Sequence, residues 1–318
     1  MKENNRRQFI LKSAAATAVL SQLPAVHAAG SDTLKIGLIG CGGRGTGAAD
    51  NALNADPNLK LVAMADTFAD RLESSADRLK KLHKDKFAVD DEQRFIGFDA
   101  YRRVLACDVD VVILATPPHF RPEHLAAVVA AGKHAFVEKP IAVDAVGARQ
   151  VLETCREAKR KGLSIVSGLM LRYSPAMKET IRRIHDGDIG KIVTMQANYN
   201  IGGLWNHPRQ PGWSDMEYQM RNWYYYTWLS GDHIVEQHVH GLDLMAWAMR
   251  DQYPVNCFAL AGRQARTEPR YGHIYDHFAV CYEYAGGERC FSFCRQQNDT
   301  DQNTAHLVYG ADGIADLR

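Results

Sequence analysis

The chain carries almost no net charge. Across 318 residues, 38 Lys and Arg stand against 37 Asp and Glu, which leaves +1 with His neutral. Nothing in that balance draws the protein to nucleic acid or to an anionic membrane, so neither is an expected partner. Paired cysteine motifs are missing too. Seven cysteines, at 41, 107, 155, 257, 281, 290 and 294, are scattered without C-x-x-C spacing. An odd number in a chain of this size argues against a disulfide framework and against a metal site built on cysteine. Cys290 and Cys294 fall on one expected strand, where four residues span about 13 Å, too far for a bridge. No transmembrane span is expected, since the apolar stretch at 13–23 is too short to cross a bilayer. What is present is an ordinary globular composition, 46% hydrophobic and 24% charged. The length suits two domains with real cores.

Residues 1–28 read as an export signal. Asn5-Arg6-Arg7-Gln8-Phe9-Ile10-Leu11-Lys12 is a twin-arginine pattern, followed by the apolar stretch and by Val26-His27-Ala28 at a cleavage position. The expected route is export to the periplasm through the twin-arginine translocation machinery, as a folded protein with its cofactor already bound.

The most informative stretch follows. Lys35-Ile36-Gly37-Leu38-Ile39 runs into Gly40, Gly42 and Gly45 at G-x-G-x-x-G spacing, and an alanine-rich, helix-compatible stretch comes next. Gly40 permits a tight turn, Gly42 lets backbone approach a pyrophosphate, and Gly45 lets the helix pack close to the strand. Gly43 and Arg44 lie in the same turn and are assigned to the cofactor with it. Asp66 closes the second expected strand, 21 residues after Gly45. A carboxylate there accepts from ribose hydroxyls and repels a 2′-phosphate, which favours NAD over NADP. Arg44 and Arg71 lie near enough to keep NADP open.

Strands are expected at 34–39, 59–65, 95–98, 109–115, 134–137 and 164–168, with helices between them. That alternation gives an α/β, doubly wound parallel sheet over 34–168. Ligands bind such sheets at the strands' carboxyl ends. Thr116, Pro117 and His119 follow one such end, and Glu138-Lys139-Pro140 follows another. All are placed on the cofactor side. A residue before proline is held extended, so Lys139 is aimed. Facing a nicotinamide, it could take the hydroxyl proton as hydride leaves.

Residues 169–318 form the second expected domain, for substrate binding and oligomerisation. It is α+β with an open, mostly antiparallel sheet: a helix at 175–185 and strands at 192–199, 274–284, 288–295 and 306–309. Residues 200–228 crowd four tryptophans and four tyrosines among Gly, Pro, Asn, Arg and His. Aromatics in a polar, turn-rich segment fit sugar-ring stacking better than a core, which makes Trp205 and Trp223 substrate contacts. A loop pinned by buried aromatics, or an oligomer contact, is the alternative. In the next stretch, read as one helix over 231–249, Glu236, His240 and Asp243 fall at i, i+4 and i+7, and His233 joins their face. A carboxylate one turn from a histidine can orient it and raise its basicity, so Glu236 is expected to tune His240. Acid/base work or substrate binding is preferred there over a metal site or a plain interhelical face. The turn Gly310-Ala311-Asp312-Gly313 should open another hairpin, so the second domain is expected to be incomplete.

From about Leu34 onward these residues resemble the Gfo/Idh/MocA oxidoreductases, the family of glucose–fructose oxidoreductase and inositol dehydrogenase. The glycine turn, Asp66, Ala115-Thr116-Pro117 and above all Glu138-Lys139-Pro140 carry the likeness. The family's D-x-x-x-H-x-x-D helix matches Glu236, His240 and Asp243, with Glu in place of the first Asp and His238 where Gly is usual. The resemblance implies Lys139 and His240 as catalytic residues, and Arg172-Tyr173 with Asp243 near the substrate. It implies NAD(H)-dependent hydride transfer to or from a sugar carbon, and a homo-oligomer. It also leaves open glycoside cleavage of the family 109 type, by transient oxidation, elimination, hydration and reduction. A non-catalytic, exported carbohydrate-binding protein is the third reading. Outside the cytoplasm no ordinary pool of NAD reoxidises NADH, so the cofactor is expected to stay bound and the cycle to be redox-neutral.

Overall fold

The computed structural model describes residues 33–318, and the twin-arginine pattern lies outside the described residues. The first sheet comprises β1 (Leu34–Ile39), β2 (Leu59–Asp66), β3 (Arg94–Ile96), β4 (Val111–Leu114), β5 (His134–Val137) and β6 (Ile165–Ser167). They run in the order β3-β2-β1-β4-β5-β6, and every ladder is parallel. The crossovers are α1 (Gly43–Ala55), α2 (Ala69–Leu82), α3 (Ala100–Ala106), α4 (Arg121–Ala130) and α5 (Ala145–Arg160). The central strands β1, β2 and β4 are mostly apolar along their length because helices cover both faces. Ile36 and Leu38 pack with Leu53 of α1 and Leu72 of α2, whereas Ile39 packs with Val104 of α3 and Leu125 of α4. Gly37 leaves room for α3, since a Cβ there would sit 2.6 Å from Val104.

The second sheet has the order β12-β11-β7-β10-β9-β8. Its strands are β7 (Ile192–Ile201), β8 (Asn256–Gly262), β9 (His277–Glu283), β10 (Arg289–Gln296), β11 (His306–Gly310) and β12 (Ile314–Asp316). Only the β7–β10 ladder is parallel. One face carries α6 (Pro175–Asp186) and α10 (Val239–Ala248), whose Ile181, Leu244 and Met245 bury Met195, Ala197 and Val308. The opposite face leaves Phe258, Leu260, Phe291 and Phe293 exposed. The short α7 (Asp215–Arg221), α8 (Thr227–Ser230) and α9 (Asp232–Glu236) lie between β7 and α10. No helix among the described residues is long and apolar enough to cross a membrane.

Two expectations need correction. The stretch 231–249 is two helices, not one. Gln237 leaves the helical path at φ −111°, and the His238 N–H reaches back to His233 O at 3.1 Å. His240 N–H then bonds Gln237 O, so the Glu236 carbonyl that a continuous helix would use is released. In the aromatic segment, Tyr224, Tyr225 and Tyr226 are not open to a sugar. They are buried with Met220, Leu229 and Ile274 in a core of their own.

Candidate active site

The glycine turn follows β1 at the switch point between β1 and β4, where strand order reverses. Gly40 has φ +96°, and a Cβ there would lie 2.6 Å from the Ala115–Thr116 backbone. At Gly45 a Cβ would lie 1.8 Å from Gly40 O, so only glycine lets α1 start this close to the strand. At Gly42 and Gly43 the situation reverses: a Cβ would meet nothing within 4 Å. That open crook faces the start of α1, whose N-cap residue supplies no side-chain bond to the first free N–H groups. The residues therefore fit a pyrophosphate.

Asp66 ends β2 beside the crook. Its Oδ2 accepts the Cys41 N–H at 2.6 Å and its Oδ1 accepts the Phe68 N–H at 2.9 Å. Burial pushes its pKa up against the pull of those two donors. Gly40, Gly42, Gly43, Arg44 and Gly45 line one cavity of about 360 Å³ together with Asp66, Thr116 and Pro117. Trp205 and Trp223 line the same cavity. The two tryptophans expected as substrate contacts thus face the dinucleotide crook. His119 is exposed and sits edge-on to Trp228 at 5.1 Å.

Glu138, Lys139 and Pro140 turn away from β5 through a cis Lys139–Pro140 peptide. Glu138 is buried and pairs with Arg44 of the glycine turn, Nε to Oε1 at 2.8 Å. Arg121, buried at the start of α4, donates Nη1 to Pro140 O at 2.9 Å. Burial lowers the Arg121 pKa to about 10, and the charges of Glu138 and Glu236 oppose that fall. This arginine is invisible to motif reading, because it looks like any helix-start residue before a proline.

Lys139 reaches 97 residues along the chain to the released Glu236. Its Nζ donates to the Glu236 carbonyl at 2.5 Å and to Oε1 at 2.7 Å. The expected tuning of His240 by Glu236 is therefore replaced by a Lys139–Glu236 pair. His240 is half-buried with no partner on Nδ1. Burial lowers its pKa to about 4, and the Lys139 charge and His306 add to that. At neutral pH it is an uncharged imidazole, able to accept a proton. His238 is fully buried and bonds Ser292 Oγ at 2.7 Å. His233 is buried edge-on to Phe278 at 5.0 Å.

Asp243 and Arg172 are brought together. Arg172 Nε donates to both Asp243 oxygens, at 2.9 and 3.0 Å, and Nη2 donates to Asp251 at 2.7 Å. The guanidinium also lies 5.3 Å from the Trp247 ring centre. Both are engaged with each other, while Tyr173 is exposed under Lys178. Among the described residues, no three His, Cys, Asp or Glu side chains are grouped to hold a metal ion.

A doubly wound sheet with a glycine crook at its switch point, joined to a six-stranded mixed sheet, defines a dinucleotide-binding oxidoreductase class. Comparison with known proteins supplies the family. Residues 34–165 match the Gfo/Idh/MocA oxidoreductase family with its NAD-binding Rossmann fold, and residues 177–316 match the GFO/IDH/MocA C-terminal domain. The chain belongs to the Gfo/Idh/MocA family. It is 30% identical over 168 residues to a glycosyl hydrolase family 109 protein of Streptomyces coelicolor, covering 52% of this chain and 34% of the relative. It is 25% identical over 224 residues to an inositol 2-dehydrogenase of Klebsiella pneumoniae, covering 70% of this chain and 56% of the relative. The solved myo-inositol 2-dehydrogenase from Lactobacillus plantarum shares the fold with a TM-score of 0.70 at 21% identity, covering 89% of this chain and 76% of that one. The chain thus spans between a third and somewhat over half of the length of these two curated relatives.

Proposed function

We propose that the protein is an NAD(H)-dependent oxidoreductase that moves a hydride to or from a carbinol carbon of a sugar or glycoside and keeps its dinucleotide bound. The observation that carries this reading is the Lys139 ammonium, held 2.7 Å from Glu236 where the chain leaves β5, with an uncharged His240 close by. When bound, the dinucleotide supplies a nicotinamide that exchanges the hydride. The chain's own groups handle the proton. His240 accepts it from the substrate hydroxyl, and Lys139 donates a hydrogen bond to the oxygen as its charge grows. Glu236 fixes the direction of Lys139. NAD is preferred over NADP because the Asp66 carboxylate repels a 2′-phosphate.

Family 109 glycoside cleavage is the second reading, favoured by the relative at 30% identity. In that reading the same groups carry a transient oxidation within a redox-neutral cycle. The twin-arginine pattern at Arg6-Arg7 supports export with the cofactor aboard, to the periplasm. The exposed Phe258, Leu260, Phe291 and Phe293 would support a homo-oligomer through the open sheet. The test is incubation of the purified, dinucleotide-loaded protein with cyclitols, aldoses and nitrophenyl glycosides. Reduction of bound NAD by a free sugar supports the first reading. Sugar release from a glycoside without added NAD supports the second. Full turnover by a Lys139→Met, His240→Ala double variant would sink both.

A further inference from the structure

Residues 203–228 belong to the second domain yet form one wall of the dinucleotide cavity. Their two limbs are tied together by Asn222, which is fully buried. Its Oδ1 accepts the His207 N–H at 2.8 Å and its Nδ2 donates to His207 O at 3.0 Å. The Tyr225 hydroxyl adds a bond to Leu204 O at 3.0 Å. The joined limbs are then fastened to the start of α2 in the first domain. Arg221 makes two parallel bonds to Asp70, each 2.9 Å. Its guanidinium lies 4.1 Å from the Phe68 ring centre and 4.8 Å from that of Trp213. Arg71 and His207 meet at 3.4 Å. Trp205, His207, Arg221 and Trp223 consequently face the glycine crook and Asp66 across the cavity.

We propose that residues 203–228 are a strap that closes over the dinucleotide and sets its residence time, with the Arg221–Asp70 pair as its latch and Trp205 and Trp223 as its inner face. This inference rests on the proposed NAD-retaining function and adds the means of retention. A dinucleotide seated between the crook and Trp205 and Trp223 leaves only when the strap moves. Moving it breaks two charge-assisted hydrogen bonds and lifts the Arg221 guanidinium off the Phe68 ring. The rest of the strap is a small aromatic core, so opening at the latch is a local event, not unfolding of the domain. Asp70 is well exposed, at 61% for its side chain, so water screens the latch. The latch therefore slows release without making it irreversible.

The experiment uses the full chain loaded with NADH. Release is followed by nicotinamide fluorescence during a chase with excess NAD, and tryptophan-to-nicotinamide energy transfer reports strap closure. Asp70→Asn should speed release about fivefold, the size of a modest exposed ion pair. The charge-swapped double variant, Asp70→Arg with Arg221→Asp, should return the rate toward wild type, which a merely unstable fold would not do. Equal release rates in wild type, Asp70→Asn and the swap would overturn the strap while leaving the function standing. Wild-type protein that binds no NADH would overturn both.

Discussion

Exchanging Glu236 for Gln keeps the shape of the Lys139 partner and removes its charge. The pair is 2.7 Å long, with side chains only 18% and 10% exposed, so it is not a surface ion pair of negligible worth. A hydrogen bond to a charged group contributes about 1.5–3 kcal/mol, and removing one partner of a buried pair outright costs about 3–5 kcal/mol. Gln still offers Oε1 to the ammonium, and the Glu236 carbonyl stays in place, so the loss should lie near about 1–2 kcal/mol. For a chain of this size that is a fall in Tm of about 2–6 °C. Activity should suffer more. With Lys139 held by neutral acceptors alone it is aimed less firmly, and kcat should drop about a hundredfold, the low end of what a positioned proton-handling group supplies. Affinity for NADH should stay nearly constant. The assay pairs steady-state kinetics with an NMR titration of the His240 ring. The charges acting on His240 are those of Lys139 and His306, so its pKa of about 4 should hardly move. If Glu236 acted on His240 directly, losing that carboxylate would lower the ring pKa. Such a drop, or wild-type kcat in Glu236→Gln, would refute the pairing.

Further predictions follow from the same geometry. Gly45→Ala places a Cβ 1.8 Å from Gly40 O and should lower Tm sharply and abolish dinucleotide binding. Gly42→Ala meets nothing within 4 Å, so it should melt like wild type while binding NADH more weakly; equal melting of the two variants would contradict the argument. Asp66→Ser should move preference toward NADP by about tenfold or more, read as the ratio of the two dissociation constants, because a 2′-phosphate no longer meets a carboxylate. Acid should destabilise the fold early. Burial holds His124 to about 4 and His233 and His238 to about 3, all below the ordinary 6.5. Between those values the unfolded chain binds more protons, so stability is complete above pH 6.5 and falls as pH drops toward 4. Each histidine contributes about 1.4 kcal/mol per pH unit at most. Asp232, pushed up to about 6, and Asp66, also raised by burial, work in the opposite direction, but they are outnumbered by the lowered histidines, which include His240 at about 4. A Tm that stays flat from pH 6.5 to 4 would contradict this ledger of charges.

Features whose geometry is local were legible in the sequence. The glycine turn demands left-handed φ at Gly40 and close approach at Gly45, and both follow from spacing within a few residues. Asp66 and Lys139 were readable because one ends a strand and the other follows one by two residues. The partner of Lys139 was not, because 97 residues separate the two and only the break at Gln237 frees the Glu236 carbonyl. Helical periodicity instead paired Glu236 with His240. Arg121 escaped because burial of a helix-start arginine depends on where Pro140 returns to it. The edge strand β8 gave no signal, since its Phe258 and Leu260 stay exposed and supply no buried face for alternation to mark. The placement of the aromatic segment was hidden for a related reason. Composition marks Trp205 and Trp223 as ligand contacts, but only the fold tells that they face the dinucleotide crook.

The central claim, hydride exchange between a sugar carbon and a retained dinucleotide with Lys139 and His240 handling the proton, has one direct measurement. Purified protein carrying NAD is mixed with sugars and glycosides deuterated at each carbinol carbon in turn, and the released cofactor is weighed by mass spectrometry. The account predicts deuterium in the nicotinamide from one carbon of at least one compound, and none in the Lys139→Met, His240→Ala double variant. Deuterium transfer undiminished in that variant, or a loaded wild-type protein that takes deuterium from none of them, would contradict it.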